Sequence, residues 1–331
     1  MSTNYRNLVF EGGGVKGIAY GGALEVLDEM GILKGLKRVA GTSAGAINAT
    51  LLALGYSSSE VSKIVAETDF RDFEDHNKFP IKNIVRLLKR FGWNKGDAFS
   101  ETLGEWIATK TGKQDITFAE LNEEIQGDNK NEFKHLYVAA TNLSKQKRQV
   151  FSHEDHQNPN TPIRGAVRMS MSIPLFFKAV KFNGDVMADG GVSYNYPVDL
   201  FDHIKYVDNE ENGENQDYFD EIEGFTFNHE TLGFRLDSKE VIHYSRDNWA
   251  NVPHDIKNFK SYAGALLEFL MEMANKSHLH QNDWHRTIFI DTLQVKTTEF
   301  DLSQDKIDGL IESGRNHVKS YFEKKTSSFP K

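Results

Sequence analysis

Two glycine-rich turns near the start of the chain constrain its fold more than any other feature. The turns EGGGVKG (11–17) and GTSAG (41–45) each follow a short apolar run and precede residues with helical spacing. We therefore expect strands at 8–10 and 37–41, with helices at 15–30 and 44–56. A strand, a glycine turn and a helix, repeated in this way, begin an α/β fold with a parallel sheet.

The rest of the chain continues this alternation. The patterns predict strands at 135–143, 231–237 and 286–291, a hairpin at 179–191 around Asn183-Gly184, and helices at 57–114 (with loops at 75–80 and 92–97), 256–280 and 303–322. We expect one domain over 1–331, with a catalytic core at about 7–200, a helical lid-like segment at about 57–114, and C-terminal strands and helices at about 225–325.

Composition excludes several classes of function. The chain has 331 residues, of which 39% are hydrophobic and 26% charged, as in a globular protein. A net charge of −9 argues against nucleic acid as a partner. With no cysteine, thiolate nucleophiles, disulfides and Cys-bound metals are excluded. The first ten residues lack an apolar signal region and no stretch is long enough to span a bilayer, so we expect a cytoplasmic protein that meets membranes only peripherally.

The first glycine turn does not fit the common nucleotide-binding patterns. Gly12, Gly14 and Gly17 match G-x-G-x-x-G, but a dinucleotide fold wants an acidic residue at the end of the second strand, which here ends in VAGTSAG. A phosphate-binding P-loop needs Ser or Thr after its lysine, whereas Gly17 follows Lys16.

The second turn is a G-x-S-x-G pattern centred on Ser43, between a strand and a helix. This setting is typical of a nucleophile elbow, in which a sharp turn exposes the serine oxygen. The two glycine turns should lie side by side at the carboxyl ends of adjacent parallel strands. We expect the backbone N–H groups of Gly12, Gly13 and Gly14 to converge above Ser43 and hold a transient oxyanion.

The group that activates the serine is less evident. His278, His280 and His285 are late enough in the chain to complete a Ser–His–Asp triad, but no histidine stands out. In VMADGGV, by contrast, Asp189 ends an apolar strand, and the two glycines after it let the chain turn sharply and expose the carboxylate.

The ordered motifs EGGGVKG, GTSAG and DGG resemble those of the patatin-like phospholipases, a family of serine acyl hydrolases. AVRMSMSIPLFF (166–177) is similar to the family's helix before the aspartate strand, and the resemblance covers roughly 7–200. It implies a three-layer α/β fold with a mostly parallel central sheet flanked by helices. It further implies a Ser43–Asp189 dyad with Asp189 as base, an oxyanion hole at Gly12, Gly13 and Gly14, and a basic position at Lys16 that favours nearby anionic charge.

Two charged segments remain. KFPIKNIVRLLKRFGWNK (78–95) carries six basic side chains and no acid, and its apolar residues fall at helical spacing. It is either an ordinary amphipathic helix or a membrane-surface helix or lid whose candidate contacts are Lys82, Arg86, Lys89 and Arg90. The stretch 208–223 carries eight acids and no base, and we interpret it as a solvated loop rather than a calcium site.

The sequence thus predicts a lipid acyl hydrolase that cleaves fatty-acyl esters of phospholipids or lysophospholipids, with no metal, no organic cofactor and no nucleic acid partner. The alternatives are a Ser–His–Asp carboxylesterase and a lipid- or nucleotide-binding module without turnover. A dyad raises one physical difficulty, since an ordinary Asp has a pKa of about 3.9 and accepts a serine proton poorly. We therefore expect Asp189 to be partly desolvated, which raises its basicity.

Overall fold

The computed structural model describes residues 4–68, 92–94, 96–127, 132–209, 213–214, 223–239, 255–276 and 281–327. Within these ranges the α-helices are α1 Ala19–Glu29, α2 Ala44–Ala53, α3 Ser58–Glu67, α4 Asp97–Thr111, α5 Phe118–Gln126, α6 Ile163–Ser170, α7 Phe259–Lys276 and α8 Gln304–Ser327. None of the helices in the described ranges combines the length and the apolar character that crossing a membrane requires.

The central sheet contains eight strands. They are β1 Asn7–Phe10, β2 Arg38–Thr42, β4 His135–Asn142, β5 Lys147–Phe151, β7 Val180–Phe182, β8 Asp185–Asp189, β11 Thr231–Asp237 and β12 Thr287–Asp291. The order β12-β11-β1-β2-β4 is parallel throughout, while β5, β7 and β8 join antiparallel. The prediction of a mostly parallel α/β sheet is confirmed.

Two strand pairs lie outside this sheet. The parallel pair joins β3 Gly92–Asn94 to β6 Leu175–Phe177, and the antiparallel pair joins β9 Gly213–Glu214 to β10 Phe227–Asn228. The prediction of a loop at 92–97 is wrong for its first three residues, because they pair with a strand more than eighty positions away. The predicted acidic loop at 208–223 lies mostly outside the described residues.

Alternation along the strands divides the core between the two faces of the sheet. Leu8 and Phe10 of β1 contribute to a large core that includes α1 and α2. Val9, between them, packs on the opposite face with side chains of the segment 196–206. Because successive strand residues point to opposite faces, the four fully buried residues of β1 bind both layers to the sheet.

Local signals explain several helix boundaries. Ser57 and Glu60 form a reciprocal capping box at the start of α3, and Thr117 and Glu120 form another at α5. All ten residues of α2 are buried, and most are small, which lets this helix pack closely against β1, β2 and β4. The start of α2 is thereby fixed beside the carboxyl ends of the strands that carry both glycine turns.

Candidate active site

Ser43 occupies the turn between β2 and α2 in a strained conformation. Its φ of 53° and ψ of −123° lie in a region that residues with a side chain rarely adopt. A Cβ on Gly45 would come within 2.5 Å of the Phe10 carbonyl oxygen, so only glycine fits where the turn crosses the end of β1. A strained serine at a strand-to-helix turn, with glycine beside it, is the geometry of a nucleophile elbow.

Asp189 reaches Ser43 along one edge of β4. Thr42 at the end of β2 lies opposite Ala139, and Asp189 at the end of β8 lies opposite Ala140. Since β5 pairs with residues 138–142 and occupies the other edge, β2 and β8 must share an edge and run towards each other. The carboxyl ends of β2 and β8 therefore meet. This brings Ser43, which follows Thr42, next to Asp189, which ends β8, although 146 positions separate them in the sequence.

The carboxylate of Asp189 is buried and only half satisfied. Its Oδ1 accepts the Gly191 backbone N–H at 2.7 Å, while its Oδ2 has no hydrogen-bond partner among the described residues. Only 2% of Asp189 is exposed. Burial raises the pKa of Asp189 to about 7, against smaller lowering effects from the Gly191 N–H and the Ser43 hydroxyl. The desolvation expected from the sequence is present.

Ser43 is as deeply buried as its neighbour, with 2% of its surface exposed. Its hydroxyl is near enough to lower the pKa of Asp189, but it is directed to Met171, whose Sδ lies 3.7 Å from Oγ. Ser43 and Asp189 are therefore both shielded from solvent. A cavity of about 690 Å³ lies between α3 and the start of α8 instead, and neither Ser43 nor Asp189 lines it.

The last residue of α6 and the two residues that follow it contact the two site residues. Ser170 Oγ accepts the Ser43 backbone N–H at 2.8 Å and donates to the Ala139 carbonyl at 2.6 Å. The next residue is Met171, and the Ser172 carbonyl accepts the Asp189 N–H at 2.9 Å. The sequence had indicated only that this segment is similar to a family helix, and the role of its serines was not predicted.

The backbone donors of the glycine loop are not equivalent. The Gly12 N–H donates to the Asn195 carbonyl at 3.1 Å, so it is already engaged. Among the turn and loop hydrogen bonds between backbone groups of the described residues, none is donated by Gly13, by Gly14 or by Ala44, the residue after Ser43. Gly14 has a φ of +56°, which a glycine adopts without strain. Gly13 and Gly14 are among the donors expected from the sequence, and Ala44 is not.

A second buried carboxylate supports this loop. Glu11, just before Gly12, accepts the side-chain amides of Asn195 at 3.0 Å and Asn275 at 2.6 Å, and the Leu236 N–H at 2.7 Å. Arg235 Nε lies 3.8 Å from its Oε1. Burial raises the pKa of Glu11, and the nearby Arg235 lowers it in part. A buried glutamate with this many donors fixes backbone rather than reacting.

Of the other residues predicted from the sequence, some lie in the described part of the chain and some do not. Lys16 is partly buried in a short 3₁₀ helix, Gly14–Ile18, that packs beside α2. His285 is exposed and lies just before β12, at the opposite end of the sheet from Ser43 and Asp189. His278 and His280, and the candidate membrane contacts Lys82, Arg86, Lys89 and Arg90, lie outside the described residues. Within the described ranges, no group of three or more His, Asp or Glu side chains is arranged to hold a metal ion.

Comparisons with known proteins show the family and the fold of the chain. The protein YqhO of Bacillus subtilis (strain 168) is 31% identical over 335 residues, which cover 97% of this chain and 99% of the relative. The probable lipid hydrolase 463L of Invertebrate iridescent virus 6 is 30% identical over 61% of this chain and 64% of its own. The crystal structure of VipD from Legionella pneumophila shares the fold, with a TM-score of 0.59 at 18% identity over 97% of this chain and 67% of that one. The family model for patatin-like phospholipases matches residues 8–202, the span that carries both glycine turns and the Asp189 turn, and the chain accordingly belongs to the patatin-like phospholipase family.

Proposed function

We propose that this protein is a serine acyl hydrolase that cleaves fatty-acyl esters of phospholipids or lysophospholipids, with Ser43 as nucleophile and Asp189 as general base. One observation carries the proposal. The ends of β2 and β8 meet on one edge of β4, which puts a strained serine beside a buried carboxylate whose Oδ2 has no partner in the described part of the chain. Family membership and the name of the viral relative, a probable lipid hydrolase, support the substrate class.

The chemistry divides into two acyl transfers. In the first, Ser43 Oγ attacks the ester carbonyl carbon while Asp189 Oδ2 takes the hydroxyl proton, which requires the hydroxyl to turn away from Met171. The carbonyl oxygen becomes an oxyanion and accepts the N–H groups of Gly13, Gly14 and Ala44. Collapse breaks the bond to the glycerol oxygen, which leaves with the proton from Asp189, and an acyl-enzyme remains.

In the second transfer, a water molecule attacks the acyl carbon and gives its proton to Asp189. Collapse of this intermediate breaks the bond to Ser43 Oγ, which takes the proton back, and the fatty acid is released. A base is most effective when its pKa lies near the working pH, and the pKa of Asp189 is raised to about 7. Each oxyanion donor typically contributes about 10²–10³ in rate, which is why the pre-aligned glycine loop matters.

Covalent labelling tests this proposal directly. A fluorophosphonate probe should form a bond between its phosphorus and Ser43 Oγ with loss of fluoride, and mass spectrometry should find the modification on the peptide that contains GTSAG. The Ser43→Ala variant should remain folded and lose about 10⁶-fold in turnover. As a matched control, the exposed Ser59→Ala should label and turn over like the wild type. Labelling of another residue, or activity of Ser43→Ala within tenfold of wild type, would remove Ser43 from the mechanism.

A further inference from the structure

Helix α7 covers the catalytic turn with one face and presents an apolar stripe with the other. On its inner side, a Cβ on Gly191 would lie 3.1 Å from Met271 Cγ, so Met271 sits against the turn that holds Asp189. Asn275, one turn further along, donates its amide to Glu11. The inner face of α7 therefore binds the Glu11 carboxylate and packs against Gly191, whose N–H donates to Asp189.

The outer side of α7 is unusual for a helix in contact with water. In 261–276 the exposed residues are Tyr262, Leu266, Phe269 and Met273, with 49%, 37%, 59% and 48% of their surfaces exposed. Their spacing of four, three and four residues places them in one stripe, which we call the α7 stripe. Two acidic side chains of this segment have partners elsewhere in the fold. Glu268 accepts the Thr297 N–H at 3.3 Å, and Glu272 lies 3.5 Å from Arg235.

We propose that the α7 stripe docks the protein on the surface of a zwitterionic lipid bilayer; this inference rests on the proposed function. Proteins that remain free in water rarely expose a contiguous apolar patch of this kind, and those that do usually use it for binding. A phospholipid substrate resides in a bilayer, and the stripe lies on the helix that directly covers the dyad. An apolar helix face that lies in the interface plane buries its side chains at the boundary between headgroups and acyl chains.

Charge decides which lipid surface fits. No exposed residue of 261–276 is basic, and the whole chain carries a net charge of −9. Attraction to anionic headgroups therefore contributes little at this surface, and burial of apolar area supplies the binding. Docking through the α7 stripe should accordingly take place on phosphatidylcholine vesicles and change little with salt concentration.

The experiment compares two double variants in the Ser43→Ala background, so that binding does not depend on turnover. Phe269→Gln with Met273→Gln should weaken partitioning into phosphatidylcholine vesicles by about tenfold or more, since two half-exposed apolar side chains are lost. Met30→Gln with Ile204→Gln removes two side chains of similar exposure, 45% and 63%, from other elements and should change partitioning less than twofold. Thermal unfolding confirms that each variant is folded.

A second measurement does not depend on those substitutions. Because the chain has no cysteine, Phe269→Cys can be labelled at one site with a polarity-sensitive fluorophore. Its emission should shift to the blue on phosphatidylcholine vesicles, while the same label at Ile204→Cys should not shift.

Three results would overturn the docking proposal. The first is equal vesicle binding by the two double variants, and the second is binding that requires anionic lipid and disappears at high salt. The third is a loss of self-association, measured by light scattering, in the α7-stripe variants while their vesicle binding stays unchanged. Failure of the proposed function is a separate outcome, because wild-type protein would then dock on vesicles and hydrolyse neither phospholipid nor a water-soluble ester.

Discussion

Two carboxylates are buried beside Ser43, and their surroundings differ sharply. Glu11 accepts three hydrogen bonds, from two asparagine amides and one backbone N–H, and has Arg235 within 3.8 Å. Asp189 accepts one N–H on Oδ1 and keeps an Oδ2 with no partner among the described residues. Burial raises the pKa of both groups, so burial alone does not distinguish their roles.

The difference lies in what each carboxylate has left to offer. The oxygens of Glu11 are engaged in holding the glycine loop to β11 and α7, and a proton would break those contacts. Among the described residues, Oδ2 of Asp189 has no hydrogen-bond partner, and it lies next to the hydroxyl that Asp189 is proposed to deprotonate. We propose that a buried acceptor oxygen without a partner marks the reactive carboxylate, and the predictions below test this proposal.

The largest effect is expected at Asp189. The Asp189→Asn variant keeps the size and the Oδ1 contact to Gly191 but replaces the free acceptor by an amide, so Ser43 has no base. Hydrolysis of a soluble ester should fall by about 10³- to 10⁴-fold, the upper range for loss of a general base. Labelling of Ser43 by a fluorophosphonate should fall as well, because in a dyad acylation itself needs Asp189.

The Glu11→Gln variant is the matched control for this loss. If both variants lost activity to the same extent, or if Asp189→Asn kept its activity, the proposal that Asp189 reacts while Glu11 is structural would be wrong. A folded Asp189→Asn protein, checked by circular dichroism, is required for either conclusion.

The second prediction concerns stability and pH. Native Asp189 releases its proton near pH 7, whereas in the unfolded chain it does so near 3.8. Between these values unfolding releases a proton, so this group's contribution to stability is fully present below about pH 4 and is lost as the pH rises through 7. The lost contribution is about 4 kcal/mol at most, from a shift of about three pKa units. Asp189→Asn should lack this dependence, and urea unfolding should find it more stable than wild type at pH 8 but not at pH 4.

Only part of the site could be predicted from the sequence, because some of its features are local and others depend on contacts between distant strands. The glycine turns are local features, because a sharp turn beside a helix start needs glycine wherever it occurs, so Ser43 and its elbow were predictable. The meeting of β2 and β8 depends on how both strands pair with β4, which no local pattern reports. The pairing of Asp189 with Ser43 came instead from the family resemblance.

The supporting residues were missed because their types suggested other roles. Glu11 and Arg235 are charged residues that would normally be exposed, and only the fold buries them together. Ser170 and Ser172 resemble ordinary polar residues at the end of a helix, and their contacts depend on β4 and β8, which lie beside them only in the fold. The helix α5 was not predicted although its Thr117–Glu120 capping box was legible, and β5 was missed because its side chains are mostly outside the core.

The third prediction tests the structural role of Glu11. Glu11→Gln keeps the shape but weakens the contact to Arg235 and leaves one donor of the network facing another donor. The free energy of unfolding should fall by about 1–3 kcal/mol, the cost of a buried donor without a partner. Ester hydrolysis should fall less than tenfold, since the Gly12 N–H still donates to the Asn195 carbonyl. A loss near 10³ with normal stability would instead give Glu11 a direct part in the reaction.

The smallest effect on ester hydrolysis is expected from replacing the late histidines. These variants decide whether Asp189 takes the serine proton directly or through a histidine. In a triad a histidine would take the serine proton, and Asp189 would orient it as a structural acid, as Glu11 does for the glycine loop. His285 is exposed, lies before the first residue of β12, and its carbonyl accepts the Tyr321 hydroxyl at 2.6 Å. His285→Ala should therefore leave ester hydrolysis within about twofold of wild type. The same measurement on His278→Ala and His280→Ala, whose positions lie outside the described residues, completes the set. A folded histidine variant whose rate of ester hydrolysis falls by 10²-fold or more would identify that histidine as the base. Asp189 would then be a structural carboxylate, like Glu11.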